Sequence, residues 1–359
     1  MEVLEKEKYS IKAIIKYAGA FIAWVVGSGF ATGQEILRFF SSYGYASYFV
    51  ELFNLVGFIF VGQVMLVKGY EHRSEDKFNH FMFFCGKKLG AVYSWLVPSA
   101  LLLVMSALVS GAGATLSEYY GINHYIGSAI MAAMVLCAYL IGFEKLIKIL
   151  SMVGPAIIIF ILVVGLITVI IDFSHLREIG EHETELAALK PAPLWVISAI
   201  LYIPLNFLCS SPYYNALGRS AKNRKDAKWG AIIGAIIIII VVTIMNTAIL
   251  LNAGDAVSLS VPTLYLAKKI SYSLGAVFSF ILILGIFSSC STMMWSFCNK
   301  FFKEGTGKNR LFAVITSVVI FIIGLFPFRD LVGIFYPFIG YIGLIFIACV
   351  IYKGVKRKG

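Results

Sequence analysis

Residues 24–40 read WVVGSGFATGQEILRFF, and the glycines at 27, 29 and 33 decide how the chain is to be understood. The flanking residues are apolar enough for a membrane span. Three glycines in seven residues, with Ser28, Thr32 and Gln34 among them, nevertheless make poor continuous helix. Glycine costs about 1 kcal/mol against alanine in a helix interior. Inside a bilayer, peptide groups freed by a break need partners, so unwound backbone persists only against protein, water or a ligand. The pattern predicts a first half-helix ending near Val26 and a second beginning near Gly33. A span broken in this way is a candidate binding site.

Composition sets the class. Of 359 residues 60% are hydrophobic and 14% charged, with mean hydropathy +0.87, well above the apolar share of about 45–50% in soluble domains. Uncharged runs at 89–117, 119–143, 149–171, 191–218, 229–254, 270–299, 311–328 and 331–352 each reach spanning length. Two less clean spans precede them, 12–40 around the glycines and 46–67 around Glu51 and Asn54. The expectation is an all-α polytopic membrane protein of ten transmembrane helices, a single domain over residues 1–359. The charged start before residue 9 does not resemble a cleavable signal.

Charge orients the chain. On this span count Arg38, Arg177, Lys190, Lys268, Lys269 and Arg329 fall on one side, and the remaining 24 of the 30 basic residues on the other. By the positive-inside rule both termini are cytoplasmic, in the cell (inner) membrane. The net charge of +11 then reads as an orientation signal in a lipid bilayer, and nucleic acid is not an expected partner. The six cysteines lie in or beside apolar runs without a CxxC pair, as buried small residues do.

A repeat is hidden in the order of spans. The break near Gly29 has a counterpart in Pro204, Asn206, Ser210, Ser211 and Pro212, about 180 residues on. Span two pairs with span seven and the long span three with the long span eight, giving repeats of about 12–171 and 191–353. Five spans per half require the second half to be inverted, and helices broken at matching places in two inverted halves point to a midplane transport site. Residues 77–89 suit a helix lying at the interface, and Pro262–Ile270 a short external helix opened by proline.

With these features in place, GSGFATGQE resembles the first-span motif of the amino acid–polyamine–organocation superfamily, and the 5+5 count resembles its LeuT-type fold, with helices 1 and 6 broken. The whole chain, with GSGFATGQEILRFF near its start, is similar to the YkvI-like bacterial membrane proteins. The resemblance implies a solute cradled where spans one and six unwind, and a sodium ion between spans one and eight. Sodium sites of that fold use a small residue, two spacers and two adjacent hydroxyl residues. Gly285-x-x-Ser288-Ser289 fits, as does Ser288-x-x-Ser291-Thr292, and the first lies nearer the span centre. The resemblance gives Ala23 and Val26 as carbonyl donors to the ion. Proton-coupled relatives carry a lysine in span five, which this chain lacks.

The residues themselves suggest the cradle. Free N–H groups at Gly27, Ser28 and Gly29 suit a carboxylate, and glycine lets the backbone approach it closely. The plain alternative is that these glycines only permit close helix packing. In span six Asn206, Ser210 and Ser211 offer polar groups in the expected gap, the alternative being a proline kink patched by serine hydroxyls. Trp24, Phe30, Tyr202, Phe207 and Tyr213 flank the two breaks as candidate apolar walls. Glu35 and Glu51 are the acidic residues near membrane depth and hence gating or proton candidates, with Arg38 placed to pair with Glu35 at i,i+3. Glu118 and Glu144 read as solvated span ends.

There is no GxSxG, HExxH or GxxxxGK[ST] motif, so enzymatic activity and a resident cofactor are not expected. The expected function is secondary active transport of a small organic solute, an amino acid or related zwitterion, by alternating access, with sodium rather than a proton as coupling ion. The rival is a nutrient sensor that binds without transport, since membrane subunits of spore-germination receptors resemble this length and span count.

Overall fold

The computed structural model describes residues 10–75, 78–141 and 153–356, with residues 28, 153 and 176–178 described through their backbone alone. Lys6, Lys8, Lys77, Lys145, Lys148, Arg357 and Lys358 of the basic set, Glu144 and the opening of the 149–171 run lie outside the described residues.

The first segment consists of three pieces, α1 (Ile11–Val25), α2 (Ser28–Ala31) and α3 (Gln34–Phe39). After a 3-10 stretch, Ser41–Ala46, come α4 (Ser47–Glu71), α5 (His80–Tyr120), α6 (His124–Ile141) and α7 (Val153–Asp172). A 3-10 stretch, Phe173–His182, and the short α8 (Glu183–Ala187) lead to α9 (Trp195–Arg219) and α10 (Arg224–Leu250). The chain closes with α11 (Ala253–Ala256), α12 (Pro262–Ile270), α13 (Tyr272–Phe301), α14 (Gly307–Gly324) and α15 (Phe328–Val355). Among the described residues there is no β-strand, and nine helical stretches are long and apolar enough to cross a membrane. All nine overlap runs read from the sequence.

Helix starts follow from local chemistry. Asn79, Asn223 and Thr306 accept from the backbone N–H three residues on, at 3.1, 2.8 and 3.2 Å, capping α5, α10 and α14. Pro262 opens α12 as expected, because its missing N–H would have no partner there. The short leg expected at 77–89 is seen in part: α5 turns at Gly86 (φ 76°, ψ 174°), which sets residues 80–85 apart from the long helix behind them.

Packing divides the long helices into two groups. α1, α4, α9 and α10 pack on one another, while α5, α6, α13 and α14 form a second group. The groups meet through α2 and where α5 passes α9, with α15 lying against both. Charge is segregated between the two ends. Arg224 pairs with Glu71 at 3.3 Å, Arg219 donates to the Glu75 carbonyl at 2.7 Å, and Lys353 lies over the Phe83 ring. At the other end Lys190 lies over Tyr43, Lys269 pairs with Asp172 at 2.8 Å, and Arg329 donates to the Ser258 carbonyl.

Candidate functional site

The break falls at the glycines. α1 stops at Val25, Val26 leaves helical geometry (φ −80°, ψ 52°), and α2 begins one residue beyond Gly27. Six residues beyond Gly27 the chain turns again at Gly33, whose φ of +82° belongs to the left-handed region that side chains resist. This second turn leaves the Ala31 and Thr32 carbonyls without helical partners. Thr263, near the start of α12, supplies both: its hydroxyl donates to Ala31 at 2.5 Å and its N–H to Thr32 at 3.3 Å. A β-carbon on Gly33 would lie 2.8 Å from the Thr263 methyl, so the turn and its cap fit only around glycine.

Residues 258–263 form a strap across this end of the molecule. Gln34 Nε2 donates to the Leu259 carbonyl at 2.5 Å and Arg329 Nη1 to the Ser258 carbonyl at 2.8 Å. Glu118 accepts from the Ser260 and Val261 N–H groups at 2.7 and 3.2 Å. Glu118 is therefore a structural acceptor, against its reading as a solvated span end, because the end of α5 meets exposed amides instead of water.

Beneath the break lies a cavity of about 210 Å³. The broken segment lines it with Ala23, Trp24, Gly27, Gly29, Phe30 and Glu35. α9 contributes Asn206 and Cys209, α13 Ser288, Ser289 and Thr292, α5 Val104 and Leu108, and α15 Tyr336. Both packing groups therefore contribute walls. Of the two cavity glycines, Gly29 is the close approach. A β-carbon on Gly29 would lie 2.7 Å from Tyr336 Oη and 3.4 Å from Glu35 Oε2, and one on Gly27 would lie 3.8 Å from Ser289 Oγ.

Several expected residues stand elsewhere. The second break does not exist: α9 is one continuous helix of 25 residues with Pro204 and Pro212 inside it. Ser210 and Asn206 bond carbonyls four residues back, at 2.6 and 3.0 Å, and Ser211 Oγ donates to the Leu208 carbonyl at 2.8 Å. That carbonyl is the acceptor left by the missing N–H of Pro212, so a patched proline kink replaces the gap. Ser210 and Ser211 are thereby fully buried helix patches, and of the three polar residues only Asn206 reaches the cavity. Tyr202 and Phe207 belong to an aromatic core behind it, with Phe40 4.8 Å from Tyr202 and Phe58 5.0 Å from Phe207, ring to ring. Tyr213 stacks on Trp24 at 5.1 Å and donates to the Ala20 carbonyl, fixing the end of α1.

Glu35 and Glu51 differ sharply. Glu51 on α4 is clamped to α10, accepting from Thr243 at 2.7 Å and Asn246 at 2.8 Å, and it does not line the cavity. Glu35 does line it. Its expected pairing with Arg38 is absent: Arg38 Nη2 donates to the Arg329 carbonyl at 2.7 Å and its guanidinium packs on Gly333. A tertiary acceptor at the start of α15 outcompetes the i,i+3 neighbour. The two serine registers also separate. Ser288 and Ser289 both line the cavity, whereas of the second register Thr292 lines it, bonding the Ser288 carbonyl at 2.9 Å, and Ser291, 1% exposed, does not. Of the expected carbonyl donors, Ala23 lines the cavity and Val26 is buried beside it. The hydroxyl of Ser28 lies outside the described atoms. Sequence reading missed Tyr336, Cys209 and the α5 residues. For Tyr336 the available signal was Pro337 beside it, an interruption in an otherwise uniform apolar run.

Comparison with known proteins places this geometry among relatives. No family model matches the chain. The protein YkvI of Bacillus subtilis (strain 168), described as an uncharacterized membrane protein, is 25% identical over 347 residues, covering 95% of this chain and 96% of its own. YyaD of the same organism, also uncharacterized, is 22% identical over 347 residues, covering 97% and 98%. Among solved structures, a variant of the manganese transporter of Eremococcus coleocola matches with TM-score 0.59 at 16% identity, over 97% of this chain and 79% of that one. At that identity the likeness is one of architecture: the chain is an all-helical membrane protein with the fold of a transporter.

Proposed function

We propose that the chain is a secondary active transporter of a small amino acid or related zwitterion, working by alternating access. The observation that carries this reading is the cavity at the broken first segment, walled by both packing groups and joined to a fold shared with a transporter. The broken segment together with the nine long helices makes ten spans, and the two packing groups draw corresponding helices from each half. This supports the LeuT-type 5+5 inverted arrangement in the amino acid–polyamine–organocation superfamily, with one broken helix instead of two. Charge segregation between the ends supports cytoplasmic termini in the cell membrane.

The cavity's chemistry favours an organic solute over a transition metal. Among the described residues no three His, Cys, Asp or Glu side chains converge, whereas Trp24, Phe30, Leu108 and Asn206 surround the space. Manganese as cargo is therefore not carried over from the structural neighbour. Sodium is the coupling ion we favour, held by Ser288, Ser289 and the Ala23 carbonyl, a reading supported by these three residues lining one cavity and by the neutral hard oxygens they carry.

A thermal-shift screen of the purified protein against amino acids, nucleobases and polyamines, with and without sodium, tests the cargo class. Counterflow of the best stabiliser in proteoliposomes tests transport. Binding without counterflow would leave the sensor reading in possession, and stabilisation only by nucleobases would overturn the zwitterion.

A further inference from the structure

Among the described residues Glu35 has no counter-charge. Of the described residues that line the cavity it is the only formally charged one, and it is 6% exposed. Among the described residues it makes no ion pair, because Arg38, the nearest basic residue in sequence, is drawn to the start of α15. A buried carboxylate left in this way is costly, and such groups are kept where a partner arrives. Two hydroxyls stand beside it. Tyr202 Oη faces Glu35 yet makes no well-formed hydrogen bond, and Tyr336 Oη closes the other flank across Gly29. Glycine at 29 keeps open the space between Tyr336 Oη and Glu35 Oε2 that any β-carbon would occupy.

We propose that Glu35, flanked by Tyr202 and Tyr336, is the docking point for a cationic nitrogen of the transported solute, an amine or ammonium group. This rests on the reading of the cavity as the cargo site and makes it more specific: recognition is led by positive charge, with a carboxylate on the solute a secondary feature. An ammonium supplies three donors, which matches the Glu35 carboxylate and the Tyr336 phenolic oxygen on the cavity wall, both of which accept, while Tyr202 backs Glu35 from the core. The volume of about 210 Å³ lies below the roughly 300–1,000 Å³ usual for ligand pockets, so the solute is small.

The test uses the full-length protein in detergent and three probe sets: amino acids, the amines obtained by removing their carboxyl group, and the acids obtained by removing their amino group. Thermal shift and calorimetry are read for wild type, Glu35→Gln and Glu35→Asp. The expected result is stabilisation by amino acids and amines and none by deaminated acids. Affinity should fall at least tenfold in Glu35→Gln and partly return in Glu35→Asp, while ligand-free melting of Glu35→Gln is unchanged or raised. Deaminated acids binding as well as amines, or Glu35→Gln binding within twofold of wild type, would overturn the amine assignment and leave the cargo cavity standing. That second pattern would mark Glu35 as a proton carrier instead. If none of the three sets binds, both readings fall.

Discussion

Replacing Gly29 by alanine tests how closely the broken segment fits its surroundings. Gly29 has no positive φ, so its backbone accepts a side chain and the obstacle is space alone. The added β-carbon would stand 2.7 Å from Tyr336 Oη, so the hydroxyl would have to retreat by about 0.7 Å to restore an ordinary contact of 3.4 Å. Tyr336 is 4% exposed and has little room to move. Overpacking of this kind costs about 1–3 kcal/mol. Removing the hydroxyl should remove the penalty, because the remaining neighbours, Glu35 Oε2 and Tyr336 Cζ, are at ordinary contact distances of 3.4 and 3.7 Å. In Tyr336→Phe protein, Gly29→Ala should therefore be nearly neutral, a coupling of about 1–3 kcal/mol across the double-mutant cycle. Gly27→Ala is the control: its nearest neighbours are at 3.4 and 3.8 Å, so stability should change by less than about 1 kcal/mol. Melting of the purified variants in detergent reads the first effect, and ligand-induced shift reads entry into the cavity. If Gly29→Ala melts with wild type, or its loss persists undiminished in Tyr336→Phe protein, the close approach of Gly29 to Tyr336 is refuted.

The remaining expectations concern neighbouring features. Gly33→Ala, forced into a left-handed turn against the Thr263 methyl, should destabilise by about 1–2 kcal/mol or more, and Thr263→Val should cost about 1–3 kcal/mol through the unmet Ala31 carbonyl; unchanged melting in both would contradict the cap. Glu51→Ala should lower stability by about 1–3 kcal/mol, because Thr243 and Asn246 lose a charged acceptor and keep only the Ile239 carbonyl and Ser47 Oγ, with the ligand-induced shift preserved; a lost shift would return Glu51 to the transport machinery. Ser288→Ala with Ser289→Ala should abolish sodium-stimulated binding and Ser291→Ala should not, and the reverse pattern would move the ion to the other register. In a background lacking the six native cysteines, cysteines at Glu183 and Asp255 should react with an impermeant thiol reagent outside intact cells. Labelling at Lys225 would invert the orientation.

Hydropathy made the long helices legible because a bilayer demands unbroken apolar length, and nothing in tertiary packing competes with that demand. The first break was legible for a related reason: glycine lacks the side chain that would hold a helix together. Span six shows where such reading runs out. Pro204 and Pro212 with Asn206, Ser210 and Ser211 look like a gap in one dimension. In three dimensions the same polar atoms bond carbonyls of their own helix and close it. The Glu35–Arg38 pair failed because spacing along one short helix says nothing of a better acceptor on α15. Pro337 marked the place of Tyr336, but its role was out of reach because that lies in a glycine more than 300 residues away in sequence.

The strap at 258–263 has a consequence for where mutations can accumulate. Most of its ties are made by its own main chain: the carbonyls of Ser258 and Leu259 and the amides of Ser260 and Val261. Side-chain identity is spent on the partners, Gln34, Glu118 and Arg329, and on Thr263 within the strap. Random variation should therefore be tolerated at Leu259, and less freely at Ser260, whose hydroxyl also meets Glu118, while the same libraries are depleted at Gln34, Glu118 and Arg329. Proline is the exception at 260 and 261, since it would delete an amide that Glu118 requires. A stretch that looks like a featureless linker thus keeps its function through backbone geometry, and its recognition code is written on other helices.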